Sequence, residues 1–198
     1  MFTFKNSKIS GIAGCVPKNI IKNNLSSKEL KFVGVVSKFS DKKGTIKTSD
    51  LCLTAARNLI KKLNWKKEEI NYIIFVSQTR NFIFPSTACI LQNELNLPKN
   101  IFATDINMGC SGYIYALKLA NSFISTNNKK YGLIICSDTY TKYISKNNKS
   151  CRPIFSDAST ATLLKITKKN SLKSFEFGVD GRGYKDLILS ENSNNMYM

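Results

Sequence analysis

The stretch "DINMGCSGYIYALKLA", Asp105 to Ala120, sets Cys110 between Gly109 and Gly112, after a short apolar run and just ahead of an apolar helical pattern. A helix N-terminus presents unpaired N–H groups and the positive end of the helix dipole, which favours a thiolate over a thiol. Two glycines permit a sharp turn and the close approach of a substrate. A sulfur held there could accept an acyl group, and the neighbouring N–H groups could hold the developing oxyanion. The same letters also fit a core cysteine in a turn that merely needs two glycines.

The elements that would position this cysteine can be read along the chain. "KISGIAGCVP" alternates as a first strand, and residues 18–47 read as a lysine-rich loop with one short helix around Ser26 to Phe32. "TSDLCLTAARNLIKKLN" carries helical spacing at Leu51, Leu53, Ala55, Ala56, Leu59, Ile60 and Leu63, with Thr48 or Ser49 as its N-cap. "NYIIFVSQ" is a buried strand, "PSTACILQNEL" a helix opened by Pro85 and Ser86, and "IFATDIN" the strand that leads into the cysteine. The helix "YIYALKLANSFIS", the strand "LIICSD" and two further strands in "FSDASTATLLKI" and "LKSFEFGVDG" follow. The order βαβαβαββ predicts an α/β fold, a mostly parallel five-stranded sheet flanked by helices, with the strand after "SDASTA" antiparallel at one edge. In such a fold function collects where strand carboxyl ends meet helix N-termini, which is where Cys110 falls.

At 198 residues, 42% of them hydrophobic, the chain reads as a single globular domain, 1–198, with no linker or repeat. No run of about 18 apolar residues marks a membrane span, and no signal peptide opens the chain, so a cytoplasmic location is expected. Cys15, Cys52, Cys89, Cys110, Cys136 and Cys151 are scattered, with no C-x-x-C pair and no histidine, so neither a metal nor another cofactor is expected. Five of these six read as inert core residues. The net charge of +17 admits nucleic acid or an acidic protein as partner. It is nearly all dispersed lysine, however, whereas base readout and bidentate phosphate recognition favour arginine, so nucleic acid is not expected.

With strand, elbow and helix taken together, "DINMGCSGYIYALKLANSFI" resembles the active-site segment of the 3-ketoacyl-acyl-carrier-protein synthase III family of thiolase-like condensing enzymes. "TSDLCLTAARNLI", "FPSTACILQNEL", "FSDASTATLL" and "DGRGYKDLIL" fall in the family's order, so the resemblance runs over nearly the whole chain. It implies an acyltransferase in which Cys110 takes an acyl group from a thioester, to be attacked by the carbanion of decarboxylating malonyl-carrier protein. It also implies that the backbone N–H of Cys110 belongs to an oxyanion hole, and that Phe84 reaches across a homodimer to line the partner's acyl pocket. Core packing is the plainer alternative for Phe84. Acyl carrier protein and acyl and malonyl thioesters are the implied partners, in fatty acid or specialised acyl-chain synthesis.

The family completes its site with a histidine and an asparagine from a second, homologous half of the fold. This sequence has no histidine and reaches Met198 near the family's half-way point. The expectation is therefore an N-terminal half-domain carrying the nucleophile, unable to condense alone, associating or poorly soluble through an apolar face left bare. A catalytically inactive remnant that only accepts acyl groups or binds the carrier is the alternative. Ser156, Ala158 and Thr160 stand where the family usually has glycines, and "VGVVSKF" lacks the tryptophan and arginine that grip coenzyme A, which makes a carrier-protein donor the more credible one.

Overall fold

Eleven strands and four α-helices make up the computed structural model, which describes residues 2–4, 7–41, 43–126, 131–167, 173–189 and 196–197. In chain order they are β1 (Phe2–Phe4), β2 (Ser7–Cys15), β3 (Ile20–Lys22), α1 (Ser27–Val33), β4 (Ser37–Phe39), α2 (Thr48–Lys62), β5 (Tyr72–Val76), α3 (Thr87–Glu94), β6 (Phe102–Ile106), α4 (Gly112–Thr126), β7 (Tyr131–Thr139), β8 (Asp157–Ile166), β9 (Lys173–Phe175), β10 (Ile188–Leu189) and β11 (Met196–Tyr197).

β5, the run "YIIFV", is buried at every residue and lies inside the main sheet, between β7 and the edge strand β6, in the order β2-β8-β7-β5-β6. β5 pairs in parallel with both β6 and β7, while β8 runs antiparallel to its neighbours β7 and β2. Four of the five strands thus point the same way. The antiparallel strand is not at an edge as expected; it sits inside, because β2 covers its outer side. The segment 18–47 also holds more than a loop and one helix, since β3 and β4 pair within it.

Alternation along the strands divides the core. Ile73 and Phe75 of β5, Leu133 and Ile135 of β7 and Leu163 of β8 face α2 and α3, packing on Ala55, Leu59 and Leu91. Tyr72, Ile74 and Val76 point the other way, with Ile134 and Leu164, onto Ala116, Ala120 and Ile124 of α4. This two-sided burial explains why the strands read as continuous apolar runs. Among the described residues no helix is long and apolar enough to cross a membrane.

Local signals held with two corrections. α1 starts on Ser26 with a capping box: the Glu29 N–H donates to the Ser26 hydroxyl and the Ser26 N–H to the Glu29 carboxylate. α2 is preceded by Lys47, not by Thr48 or Ser49, as N-cap; the Asp50 carboxylate accepts the Lys47 N–H at 2.8 Å. Thr48 is buried instead, donating to the Thr79 carbonyl at 2.5 Å. The second correction concerns cysteines: Cys52 and Cys151 are buried, Cys15 and Cys136 half-buried, but Cys89 is exposed at the head of α3.

Candidate active site

β5, β6 and β7 are parallel, so their carboxyl ends open on one end of the sheet, and three of the chain's polar turns meet there. Cys110 follows β6 in the turn from Gly109 to Gly112, closed by the Gly112 N–H on the Gly109 carbonyl at 2.9 Å. The Ser111 carbonyl accepts from the Ile114 and Tyr115 N–H groups and so starts α4 two residues beyond the cysteine. The sulfur is exposed at the N-terminal end of a 15-residue helix, as the spacing predicted.

The two glycines serve different needs. A β-carbon on Gly109 would stand 2.6 Å from the Gln78 side-chain oxygen, so the amide of the loop after β5 lies against the elbow. Gln78 is held in turn by the Tyr140 hydroxyl, which donates to its oxygen at 2.8 Å. A β-carbon on Gly112 would stand 2.4 Å from a Val76 methyl, and Gly112 is buried. Its smallness is required by the packing of α4 on β5. Gln78 and Tyr140 escaped the sequence reading. The signal was there in the polar triplets that end buried strands, Ser77-Gln78-Thr79 after β5 and Ser137-Asp138-Thr139 closing β7.

Asp138 ties these triplets together. One of its carboxylate oxygens accepts from the Ser77 and Thr79 hydroxyls and from the backbone N–H groups of Gln78 and Thr79, at 2.8–3.0 Å. Burial nevertheless raises its pKa above the ordinary carboxylate range, outweighing those four donors. Burial likewise pushes the Tyr140 phenol up, with Asp138 and Cys110 reinforcing the effect. A carboxyl whose folded pKa is raised binds its proton more tightly in the folded state. Its contribution to stability is present below the ordinary aspartate value of about 4 and is lost as pH rises through the raised value. In Asp138→Asn the amide oxygen can still accept all four bonds without the buried charge. The melting temperature of the wild type minus that of the variant is expected to fall as pH rises from about 4 toward neutrality; a difference that stays flat or grows would mean the charge is not penalised.

Asp105, on β6 just before the elbow, accepts the Thr87 and Ala88 N–H groups at 2.7 and 2.8 Å and so caps α3. A carboxylate at that place contributes about 1–2 kcal/mol and locks the strand that leads to Cys110 to the helix that follows Phe84. Phe84 itself is 84% exposed, next to Ile83 at 71% and Phe82 at 49%. Among the described residues, then, Phe84 packs into no core. On the same end of the sheet the loop from β7 to β8 closes one side of a cavity of about 410 Å³, whose walls include Lys22, Lys38, Lys146, Lys149 and Arg152. Lys38 is 4% exposed and donates to the Arg152 carbonyl; burial, then Arg152, lower its pKa, against the pull of Asp157.

Comparison with known proteins adds to this geometry. The family model described as 3-Oxoacyl-[acyl-carrier-protein (ACP)] synthase III matches residues 104–181, the span from β6 through the elbow to the segment after β9. A provisionally named 3-oxoacyl-[acyl-carrier-protein] synthase 3 of Campylobacter jejuni is 34% identical over 96% of this chain and 56% of its own length. Beta-ketoacyl-[acyl-carrier-protein] synthase III of Clostridium perfringens is 31% identical over 93% of this chain and 59% of its own. The crystal structure of the 3-oxoacyl-(acyl-carrier protein) synthase of Burkholderia xenovorans superposes with a TM-score of 0.90 at 33% identity, over 99% of this chain and 58% of that one. The chain therefore spans somewhat more than half the length of the relatives it matches.

Proposed function

We propose, for a chain that belongs to the 3-oxoacyl-[acyl-carrier-protein] synthase III family and has its thiolase-like fold, that Cys110 is the residue that takes the acyl group in an acyl-transfer and condensation reaction. The observation that carries this reading is an exposed cysteine at the N-terminal end of α4, at the carboxyl end of a parallel sheet. In the first half-reaction the Cys110 thiolate attacks the carbonyl carbon of an acyl thioester, the new C–S bond forms, and the donor leaves as a thiol after taking up a proton. The Cys110 N–H, at the head of the helix, would hold the oxyanion between those two events. In the second, a carbanion from decarboxylating malonyl-carrier protein attacks the acyl-cysteine, carbon dioxide departs and the thiolate is regenerated.

The 198 residues contain no histidine, so the malonyl half-reaction draws on groups outside them, and this chain acts as the nucleophile-bearing half of a two-half fold. Exposed Phe84 fits a residue that reaches another protomer's acyl pocket, and the exposed apolar run Phe82–Phe84 fits a covered face. Incubating the chain with an acyl thioester and weighing it tests the reading: one acyl group on the peptide bearing Cys110 supports it. An unmodified chain would favour the inactive remnant.

The basic cavity supports an acidic acyl carrier protein as donor, since attraction between opposite fields speeds encounter and is screened by salt. Carrier association is expected to weaken at least about tenfold between low and physiological ionic strength, measured by fluorescence anisotropy of a labelled carrier. Affinity unchanged by salt would reduce the lysines to solvated surface.

A further inference from the structure

At the opposite end of the sheet from Cys110, where β7 begins and β8 ends, a cavity of about 280 Å³ is lined by Lys8, Ile9, Ser10, Leu63, Trp65, Tyr131 and Lys165. We propose that this notch is a second ligand site, which takes a small organic anion: a carboxylate or phosphate head on a flat apolar body.

The register places three of these residues in one row. Lys8 on β2 is directly opposite Lys165 on β8, and Lys165 is directly opposite Tyr131 on β7, so their side chains share the face that carries α2. Like charges directly opposite across a strand pair are destabilising. Among the described residues neither lysine has an ion-pair or hydrogen-bond partner that would offset the repulsion. An anion between the two ammonium groups would. Ser10 also lines the notch. It is the extra residue of the β2 bulge between Ile9 and Gly11, a device that re-aims a side chain, and its buried hydroxyl has no hydrogen-bond partner.

The remaining wall suits an apolar body. Trp65 and Tyr131 meet edge to face, 4.9 Å between centroids at 79°, and Leu63 lines the notch with them. The Trp65 indole N–H is already engaged by Glu69 at 2.9 Å, so the ring offers carbon surface rather than a donor. Polar groups that fix orientation and an apolar lining that gives area are the composition of a small-molecule site.

Trp65 is the sole tryptophan of the chain, so its fluorescence reports on this notch alone. Titrating the full chain with phenyl phosphate and with benzoate should change that fluorescence saturably, the tighter of the two identifying the head group. Benzyl alcohol, of like shape without charge, should bind at least about tenfold more weakly. Lys165→Gln and Lys8→Gln should each weaken the anion by about tenfold, while each variant melts no lower than the wild type because the cross-strand repulsion is relieved. The absence of a saturable change with either anion, or equal affinity in the wild type and Lys165→Gln, would overturn the proposal.

Discussion

Cys110→Ala is expected to lose the acyl adduct entirely while keeping the fold. Trypsin separates the two exposed thiols of the chain, because Cys89 falls in the peptide 81–99 and Cys110 in the peptide 100–118. A wild-type digest after exposure to an acyl thioester should therefore carry the acyl group on 100–118 and leave 81–99 unchanged. Both sulfurs can be reached by reagents, so exposure alone predicts equal labelling. Only Cys110 lies in the elbow beside Gln78 and Tyr140, at the head of the longer helix. Cys89→Ser should accordingly retain full labelling. Acylation that follows Cys89, or is shared equally between the peptides, would remove the chemical basis for the functional reading. The alanine side chain in place of an exposed cysteine creates no cavity, so the melting temperature should move by less than about 2 °C, within the range of neutral surface changes.

Gly132→Ala is expected to be the most damaging small substitution in the sheet. Gly132 is the parallel partner of Tyr72, and a β-carbon there would fall 1.8 Å from the tyrosine ring. Tyr72 has no exposed surface and is stacked on Phe123 at 5.5 Å, and Phe123 in turn touches Phe102 at 4.4 Å. The ring has nowhere to withdraw without opening the α4 side of the core. Overpacking of this kind costs about 1–3 kcal/mol and more where the neighbours are rigid, so a loss of about 3 kcal/mol is expected. For a chain of this size that lowers the melting temperature by about 6–12 °C, readable by circular dichroism. Tyr72→Leu, which removes the obstructing ring, should recover much of that loss in the double variant; no recovery would mean the strain lies in the backbone instead.

The parts of this architecture that were legible in the sequence are those with one-dimensional signals. β5 is a continuous apolar run because both its faces are covered, and α2 shows its apolar stripe at Leu51, Ala55, Leu59 and their neighbours. The elbow was legible because glycine spacing and a strand-to-helix transition coincide at Cys110. The position of β8 was not, because strand order depends on which edge β2 takes up, and β2 has the same composition at either edge. The supports of the elbow were equally hidden. Asp138 and Gln78 lie 60 residues apart and look like ordinary polar residues at strand ends until the sheet aligns them. Lys47 as N-cap shows the same limit: Asp50 can cap from inside the first turn, which frees Thr48 for a tertiary bond no local pattern announces.

The Gln78 amide that leans on Gly109 and is gripped by Tyr140 has a consequence for how the site would work. The elbow is braced by side chains from the turns after β5 and after β7, so its conformational freedom is given up when the chain folds and not when a substrate arrives. A nucleophile immobilised in advance leaves mainly the donor to be ordered at the moment of encounter, and the entropic part of the activation barrier shrinks accordingly. In that sense the glycine at 109 works as a socket, and the rigidity of the attack is built by the side chains that fill it.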